Sequence, residues 1–171
     1  MVPEIKKILF TTDLSKESQH AFNYAVSLAG QYGASITILH VLEELSQSSS
    51  AHLRDLIGEE KYKQLQESHE QEARQILIGK KKEGAMIREA LSEFCEKAQK
   101  DLSECEFIVE NIVVARGNVV EEILHEARSR NCDLIVMGYY GRGKLEEAFL
   151  GSTPRRLLRR CKIPVMLVRL S

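Results

Sequence analysis

The chain has 171 residues, 43% of them hydrophobic, which is enough to bury the core of one domain. Its 24 Lys and Arg residues balance 25 Asp and Glu residues, which argues against nucleic acid or an anionic membrane surface as a primary partner. No apolar stretch approaches the roughly 20 residues that span a membrane, and Met1 to Lys7 lead into a strand-like segment without an apolar signal region. We therefore expect one cytoplasmic domain over residues 1–171.

The beginning of the chain has the pattern of a β-α-β unit. Ile5 to Thr12 forms a β-rich run, and Ser15 then stands where the N-cap of a helix is expected. Apolar residues recur at helical spacing as far as Tyr32. Ser35 to Leu42 is nearly continuous in apolar residues, as in a strand buried on both faces.

An extended helical segment is predicted between the second and third strands, at about residues 51–104. Apolar residues on one stripe predict an amphipathic helix from about Ala51 to Lys82. Gly79 to Gly84 is expected to break it, and a second helix then carries apolar residues from Ile87 to Ala98.

Strands and helices alternate again in the second half. Three more strands are predicted at Phe107–Val114, Asp133–Met137 and Pro164–Leu170. Asn118 is expected at the start of one helix, and Pro154 at the start of the last. This alternation predicts an α/β, Rossmann-like protein whose parallel sheet is covered by helices on both faces.

The cysteines and histidines do not form a recognisable metal or redox motif. No C-x-x-C pair, no histidine at zinc-ligand spacing and no H-E-x-x-H pattern occurs. We expect four reduced thiols and no metal site built from protein ligands alone. The cysteines are Cys95, Cys105, Cys132 and Cys161.

The end of the first strand carries an acidic residue at a position where open parallel sheets bind ligands. The sequence Thr11-Thr12-Asp13 places a carboxylate at the strand edge, where it can accept hydrogen bonds from a ribose hydroxyl. Asp13 can equally serve only to cap the following helix. Local sequence leaves both interpretations open.

Two glycine-containing segments follow the fourth predicted strand, GYYGRGK from Gly138 and GSTP from Gly151. Glycines permit positive φ angles and close approach of backbone amides to an anion, and a helix that begins near Ser152 offers free amides to a phosphate. The alternative is that the glycines form tight turns and that Ser152 or Thr153 is a simple N-cap. A P-loop is excluded, because Leu145 stands where that motif needs Ser or Thr for magnesium.

The joint spacing G-x2-G-x9-G-S resembles the nucleotide-binding signature of the universal stress protein family. Gly138, Gly141, Gly151 and Ser152 form it. Similarity continues over nearly the whole chain, in the segments KKILFTTDLS, ILHV, DLIVMG, LGS and CKIPVMLVR.

The resemblance implies a five-stranded parallel sheet in the order 3-2-1-4-5, which brings Asp13 beside the glycine loop. In ATP-binding members the residue matching Asp13 holds the ribose, the residue matching Val41 contacts adenine through its backbone, and the glycine loop holds the phosphates. ATP, ADP or AMP is the implied ligand, with magnesium or manganese bound only alongside it. The implied nucleotide site comprises Thr12, Asp13, Val41, Met137, Gly138, Gly141, Gly151, Ser152 and Thr153.

Two features depart from the family pattern. Thr153-Pro154 replaces a valine and a small or hydroxyl residue, so one amide donor is lost near the phosphates. Tyr139 and Tyr140 are bulkier than the residues common between the first two glycines, and they are interpreted as loop packing, a cover for the site or a partner contact.

Three functions are compatible with these features. The first is a stress-response regulatory protein that binds an adenine nucleotide and forms a homodimer through the final strand. The second is a slow ATP hydrolase or phosphate-transfer enzyme, and the third is a protein-interaction module without nucleotide. The apolar residues expected at the dimer edge are Ile163, Val165, Leu167 and Val168.

Overall fold

A computed structural model describes residues 2–15, 17–43, 58–68, 70–103, 105–140 and 150–170, with side chains except at 62, 65–68 and 70–82. The strands are β1 Lys7–Thr11, β2 Ser35–Glu43, β3 Ile108–Gly117, β4 Leu134–Tyr140 and β5 Val165–Leu170. The helices are α1 Ser18–Tyr32, α2 Glu59–Ser68, α3 Glu70–Asp101, α4 Val119–Ser129 and α5 Ser152–Arg160.

The five strands form one parallel sheet in the order β3-β2-β1-β4-β5. Phe10 of β1 pairs with Ile38 on one side and Val136 on the other. The α/β class and the expected strand order are therefore confirmed. The order reverses between β1 and β4, so a crevice opens at their carboxyl ends.

Two hydrophobic clusters cover the two faces of the sheet, because successive side chains of a strand point to opposite faces. Ile8 and Phe10 pack with α1 and the C-terminal part of α3, whereas Leu9 packs with α4 and Leu157 of α5. All four of these side chains are fully buried. Helices on both faces hold the central strands rigidly beneath the crevice.

The helical segment between β2 and β3 differs from the prediction. The expected break at Gly79 to Gly84 was wrong, because α3 runs without interruption from Glu70 to Asp101. A glycine in a helix costs about 1 kcal/mol relative to alanine, and burial of Leu91, Cys95 and Ala98 against the sheet outweighs that cost. The chain instead divides between α2 and α3, and residues 51–57 of the predicted first helix lie outside the described residues.

All four cysteines are free thiols. Burial raises the pKa of the Cys95 and Cys132 thiols to about 11, which makes them poor nucleophiles near neutral pH. Within the described part of the chain, no helix combines the length and apolar character needed to cross a membrane. The same residues contain no group of three or more His, Cys, Asp or Glu side chains placed to hold a metal ion.

Candidate functional site at the carboxyl edge of the sheet

A cavity of about 510 Å³ lies at the carboxyl ends of β1, β2 and β4, with the first turn of α5 and part of α4 in its walls. Eight of the nine predicted site residues line it: Thr12, Asp13, Val41, Met137, Gly138, Gly151, Ser152 and Thr153. Gly141, the ninth, lies outside the described residues. The topology thus gathers residues from three strands and a helix, and their role in binding stays a prediction.

Thr12 is tied to its surroundings by every polar group it carries. Its N–H donates to the Leu39 carbonyl at 3.0 Å, and its own carbonyl oxygen lies 2.8 Å from Nδ1 of His40. Its hydroxyl donates to Ser18 Oγ and accepts the N–H of Leu14, both at 3.0 Å. The backbone that leads into Asp13 is therefore held from both β2 and α1.

Asp13 serves the local backbone and also lines the cavity. Its Oδ1 accepts the N–H of Ser15 at 2.9 Å, and Ser15 Oγ in turn accepts the N–H of Ser18 at 3.2 Å. The helix begins at Ser18, three residues after the predicted cap, although Ser15 still accepts a first-turn amide. Asp13 is exposed, and its Oδ2 has no hydrogen-bond partner among the described residues. Capping and ligand binding are therefore compatible at this carboxylate.

The loop between β1 and α1 contains a strained residue. Leu14 has φ of 66°, a left-handed conformation that costs a non-glycine residue roughly 1–2 kcal/mol. Its side chain is 43% exposed, so packing gives little in return. Two hydrogen bonds hold the strained turn in place: the Thr12 hydroxyl accepts the N–H of Leu14, and the Asp13 carboxylate accepts the N–H of Ser15.

Gly138 has a different role from the one expected. Strand β4 continues to Tyr140, so Gly138 is strand backbone without a positive φ angle. A Cβ atom at Gly138 would lie 2.5 Å from Cδ1 and 2.8 Å from Cγ of Leu170, which is buried at the end of β5. Close packing between β4 and β5 favours glycine at this position, and the expectation of a positive φ angle or a tight turn at Gly138 was wrong.

The start of α5 forms another part of the cavity wall. Gly151 is the N-cap residue, and Ser152, Thr153 and Pro154 make up the first turn. The amides of Ser152 and Thr153 lie too close to the start of the helix to have a hydrogen-bond acceptor within it. Pro154 has no amide hydrogen. Among the described residues, a Cβ atom at Gly151 would come within 4 Å of Pro154 Cδ alone, at 3.7 Å, so these residues leave room for a ligand beside the two amides.

The charges of the cavity are arranged asymmetrically. Asp13 and Glu43 are the acidic residues in the described lining, which contains no Lys or Arg. These two residues follow β1 and end β2, whereas the positive end of the α5 dipole is contributed by Gly151 to Thr153, after β4. An anionic group is therefore favoured near α5 and a hydrogen-bond-donating group near Asp13.

An ion pair joins the two helices that contribute to the cavity wall. The guanidinium group of Arg160 donates two hydrogen bonds to the carboxylate of Glu121, and these hold the pKa of Glu121 below its ordinary value. A carboxyl group with a depressed pKa in the folded state adds stability that is lost as the pH falls through that pKa. The pair is exposed, so its contribution is screened by solvent.

Reasoning from sequence missed two buried polar residues in the cavity wall, His40 and Ser18. Tyr139 and Tyr140, for which a cover over the site was one interpretation, line the cavity as well. The Tyr140 hydroxyl also lies 3.5 Å from the carboxylate of Glu17, the N-cap residue of α1, which is a weak contact between β4 and the start of that helix. A histidine inside the otherwise apolar run of β2 was the available signal, and it was not used.

The profile of the universal stress protein family matches residues 4–169. The chain belongs to the universal stress protein family. It is 27% identical to universal stress protein MJ0577 of Methanocaldococcus jannaschii over 164 residues, which covers 96% of this chain and 94% of that protein. Identity with universal stress protein YxiE of Bacillus subtilis is 32% over 163 residues, covering 95% and 98% of the two chains.

Solved structures share the fold of this family member. The structure of MJ0577 superposes with a TM-score of 0.57 at 22% identity, covering 99% of both chains. A universal stress protein in complex with cAMP gives a TM-score of 0.60 at 20% identity, covering 99% of this chain and 100% of the other. These similarities extend over whole chains and support the same α/β architecture.

Proposed function

We propose that this protein is a cytoplasmic stress-response regulator that binds an adenine nucleotide in the cavity between β1, β4 and α5. The observation that carries the proposal is the presence, in the lining of one cavity, of an exposed carboxylate at Asp13 and the amides at the start of α5. A ribose needs a hydrogen-bond acceptor and a phosphate needs donors and positive potential, and these two parts of the lining offer them separately.

The cavity also suits the size and polarity of a nucleotide. Its volume of about 510 Å³ falls in the range of roughly 300–1,000 Å³ that is typical of small-molecule sites. Val41, Ile123 and Met137 contribute an apolar surface for a purine base next to the polar groups. The related universal stress protein that was solved with cAMP binds a ligand of this class, which supports the proposal.

The start of α5, where the phosphates of the nucleotide would bind, offers hydrogen-bond donors for one or two phosphate oxygens. Only Ser152 and Thr153 provide amides in the first turn of α5, because Pro154 has none. Their two hydroxyl groups add donors beside these amides. The described residues offer no protein cage for a cation, so magnesium or manganese would bind mainly through the oxygens of a di- or triphosphate.

The proposed test is calorimetric titration of nucleotide-free protein with ATP, ADP and AMP in magnesium. Gly151→Val places two methyl groups beside the first-turn amides, and the backbone angles of Gly151, φ −53° and ψ 162°, are accessible to valine. We expect saturable binding in the wild type and at least about tenfold weaker binding in the variant, because phosphate contacts to backbone amides are lost.

Gly84→Val is the matched control, since no described atom lies within 4 Å of a Cβ atom at Gly84 and this residue of α3 is not among those that line the cavity. It should bind nucleotide like the wild type. Absence of binding to the wild type at millimolar nucleotide would refute the proposal and favour a protein-interaction module.

We further propose that the protein forms a homodimer through β5, which is an edge strand of the sheet. Val165 and Leu167 are half-buried on this edge, whereas Val168 is buried in the core and is unavailable for an interface. Unpaired backbone groups on an apolar edge strand favour pairing with a second copy. We expect light scattering coupled to size-exclusion chromatography to give the dimer mass at micromolar concentration, and a monomer mass would contradict the proposal.

A further inference from the structure

His40 is a buried, titratable side chain in the cavity wall, with 9% of its surface exposed. Its Nδ1 lies 2.8 Å from the carbonyl oxygen of Thr12. A carbonyl oxygen can only accept a hydrogen bond, so Nδ1 must carry the proton. This contact assigns the Nδ1-protonated tautomer when the ring is neutral.

The bonded carbonyl belongs to the peptide group that joins Thr12 to Asp13. Because a peptide group is planar, orienting its carbonyl also orients the N–H and Cα of Asp13. The N–H of Thr12 is held by the neighbouring residue of β2, through the Leu39 carbonyl at 3.0 Å. Two consecutive residues of β2, Leu39 and His40, therefore hold both the N–H and the carbonyl group of Thr12.

The turn after this peptide makes such support necessary. Leu14 is in the left-handed region with φ of 66°, so the backbone of the turn has a lower-energy alternative. The Asp13 side chain is held at only one oxygen, by the N–H of Ser15. Release of the Thr12 carbonyl would let the Thr12–Asp13 peptide rotate and carry the carboxylate away from the cavity.

We propose that His40 is a positioning residue that directs the Asp13 carboxylate toward the ribose of the bound nucleotide, acting through the Thr12 carbonyl. This inference rests on the proposed nucleotide function. It predicts that loss of the Nδ1 donor weakens recognition of the ribose hydroxyl groups specifically and leaves contacts with base and phosphate in place.

Two variants of similar polarity distinguish the effect of losing the hydrogen bond to the Thr12 carbonyl from the effect of losing the imidazole ring. In His40→Asn the side-chain amide nitrogen lies near the position of Nδ1, so a donor to the Thr12 carbonyl is retained. In His40→Gln the amide lies near the position of Nε2, and that donor is lost. The affinity of each protein for ATP and for 2′,3′-dideoxy-ATP, which lacks both ribose hydroxyl groups, is measured by calorimetry.

We expect the wild type and His40→Asn to prefer ATP over the dideoxy analogue by about tenfold or more, the effect of one or two hydrogen bonds to a charged group. His40→Gln should lose most of this preference while binding the dideoxy analogue as the wild type does. Equal preference in His40→Gln and the wild type would overturn the inference. Failure of the wild type to bind either nucleotide would instead overturn the proposed function.

A measurement on the wild-type protein keeps the inference testable if His40→Gln does not fold. Nitrogen chemical shifts of the His40 ring, recorded at a pH where the ring is neutral, distinguish the two tautomers without any ligand. The Nδ1-protonated form is expected. An Nε2-protonated ring would overturn the inference, because Nδ1 could then donate nothing to Thr12.

Discussion

Replacement of Asp13 by asparagine should weaken adenine-nucleotide binding about 10- to 100-fold. A hydrogen bond to a charged group contributes about 1.5–3 kcal/mol, and 1.4 kcal/mol corresponds to a factor of ten in affinity. Asparagine keeps an oxygen that can accept the N–H of Ser15, now accepted by Asp13 Oδ1 at 2.9 Å. The turn is therefore preserved, and the change removes the negative charge and one acceptor from the cavity.

Calorimetry with ATP and AMP measures this loss, and the matched control is Asp133→Asn. Asp133 accepts the backbone amides of Lys6 and Lys7 at 2.8 and 2.9 Å, at the amino-terminal edge of the sheet. Its replacement should alter stability and leave the dissociation constants unchanged. An Asp13→Asn protein that binds ATP normally but no longer hydrolyses it would contradict the ribose role and favour a slow hydrolase.

Replacement of Gly138 by alanine should lower the free energy of unfolding by about 1–3 kcal/mol, the usual cost of overpacking a core position. The new Cβ would lie 2.5 Å from Cδ1 and 2.8 Å from Cγ of Leu170. Leu170 is buried, with 4% of its surface exposed, and the new methyl group can be accommodated only if the Leu170 side chain or the β5 backbone shifts. Urea denaturation of the variant and the wild type measures the difference.

A double-mutant cycle with Leu170→Ala tests the cause. Leu170→Ala alone should cost about 2–5 kcal/mol because it leaves a cavity, and Gly138→Ala should cost little in that background. The two changes should therefore cost clearly less together than the sum of their separate effects. Additive effects would mean that Leu170 is not what makes Gly138 necessary. The same clash makes Gly138 unsuitable for a binding test, and Gly151 is used there because no described residue would clash with a side chain at that position.

Much of the architecture could be predicted from sequence because its signals are local. Alternation of apolar runs with amphipathic segments predicted five strands and the helices on both faces. Asn118 was expected at a helix start, and its side chain accepts the amides of Val120 and Glu121. Periodicity could not supply the order of the strands, which came from the resemblance to a family.

Tertiary structure decided the features that depend on residues far apart in the chain. The continuity of α3 through Gly84 depends on packing of its C-terminal part against the sheet, which local propensity does not include. The need for glycine at Gly138 comes from Leu170, across neighbouring strands. His40 acquired its role because parallel pairing of β1 and β2 brings it to the Thr12 carbonyl. Composition and spacing determine which segments form strands, and the strand order determines which of their polar groups meet at one edge.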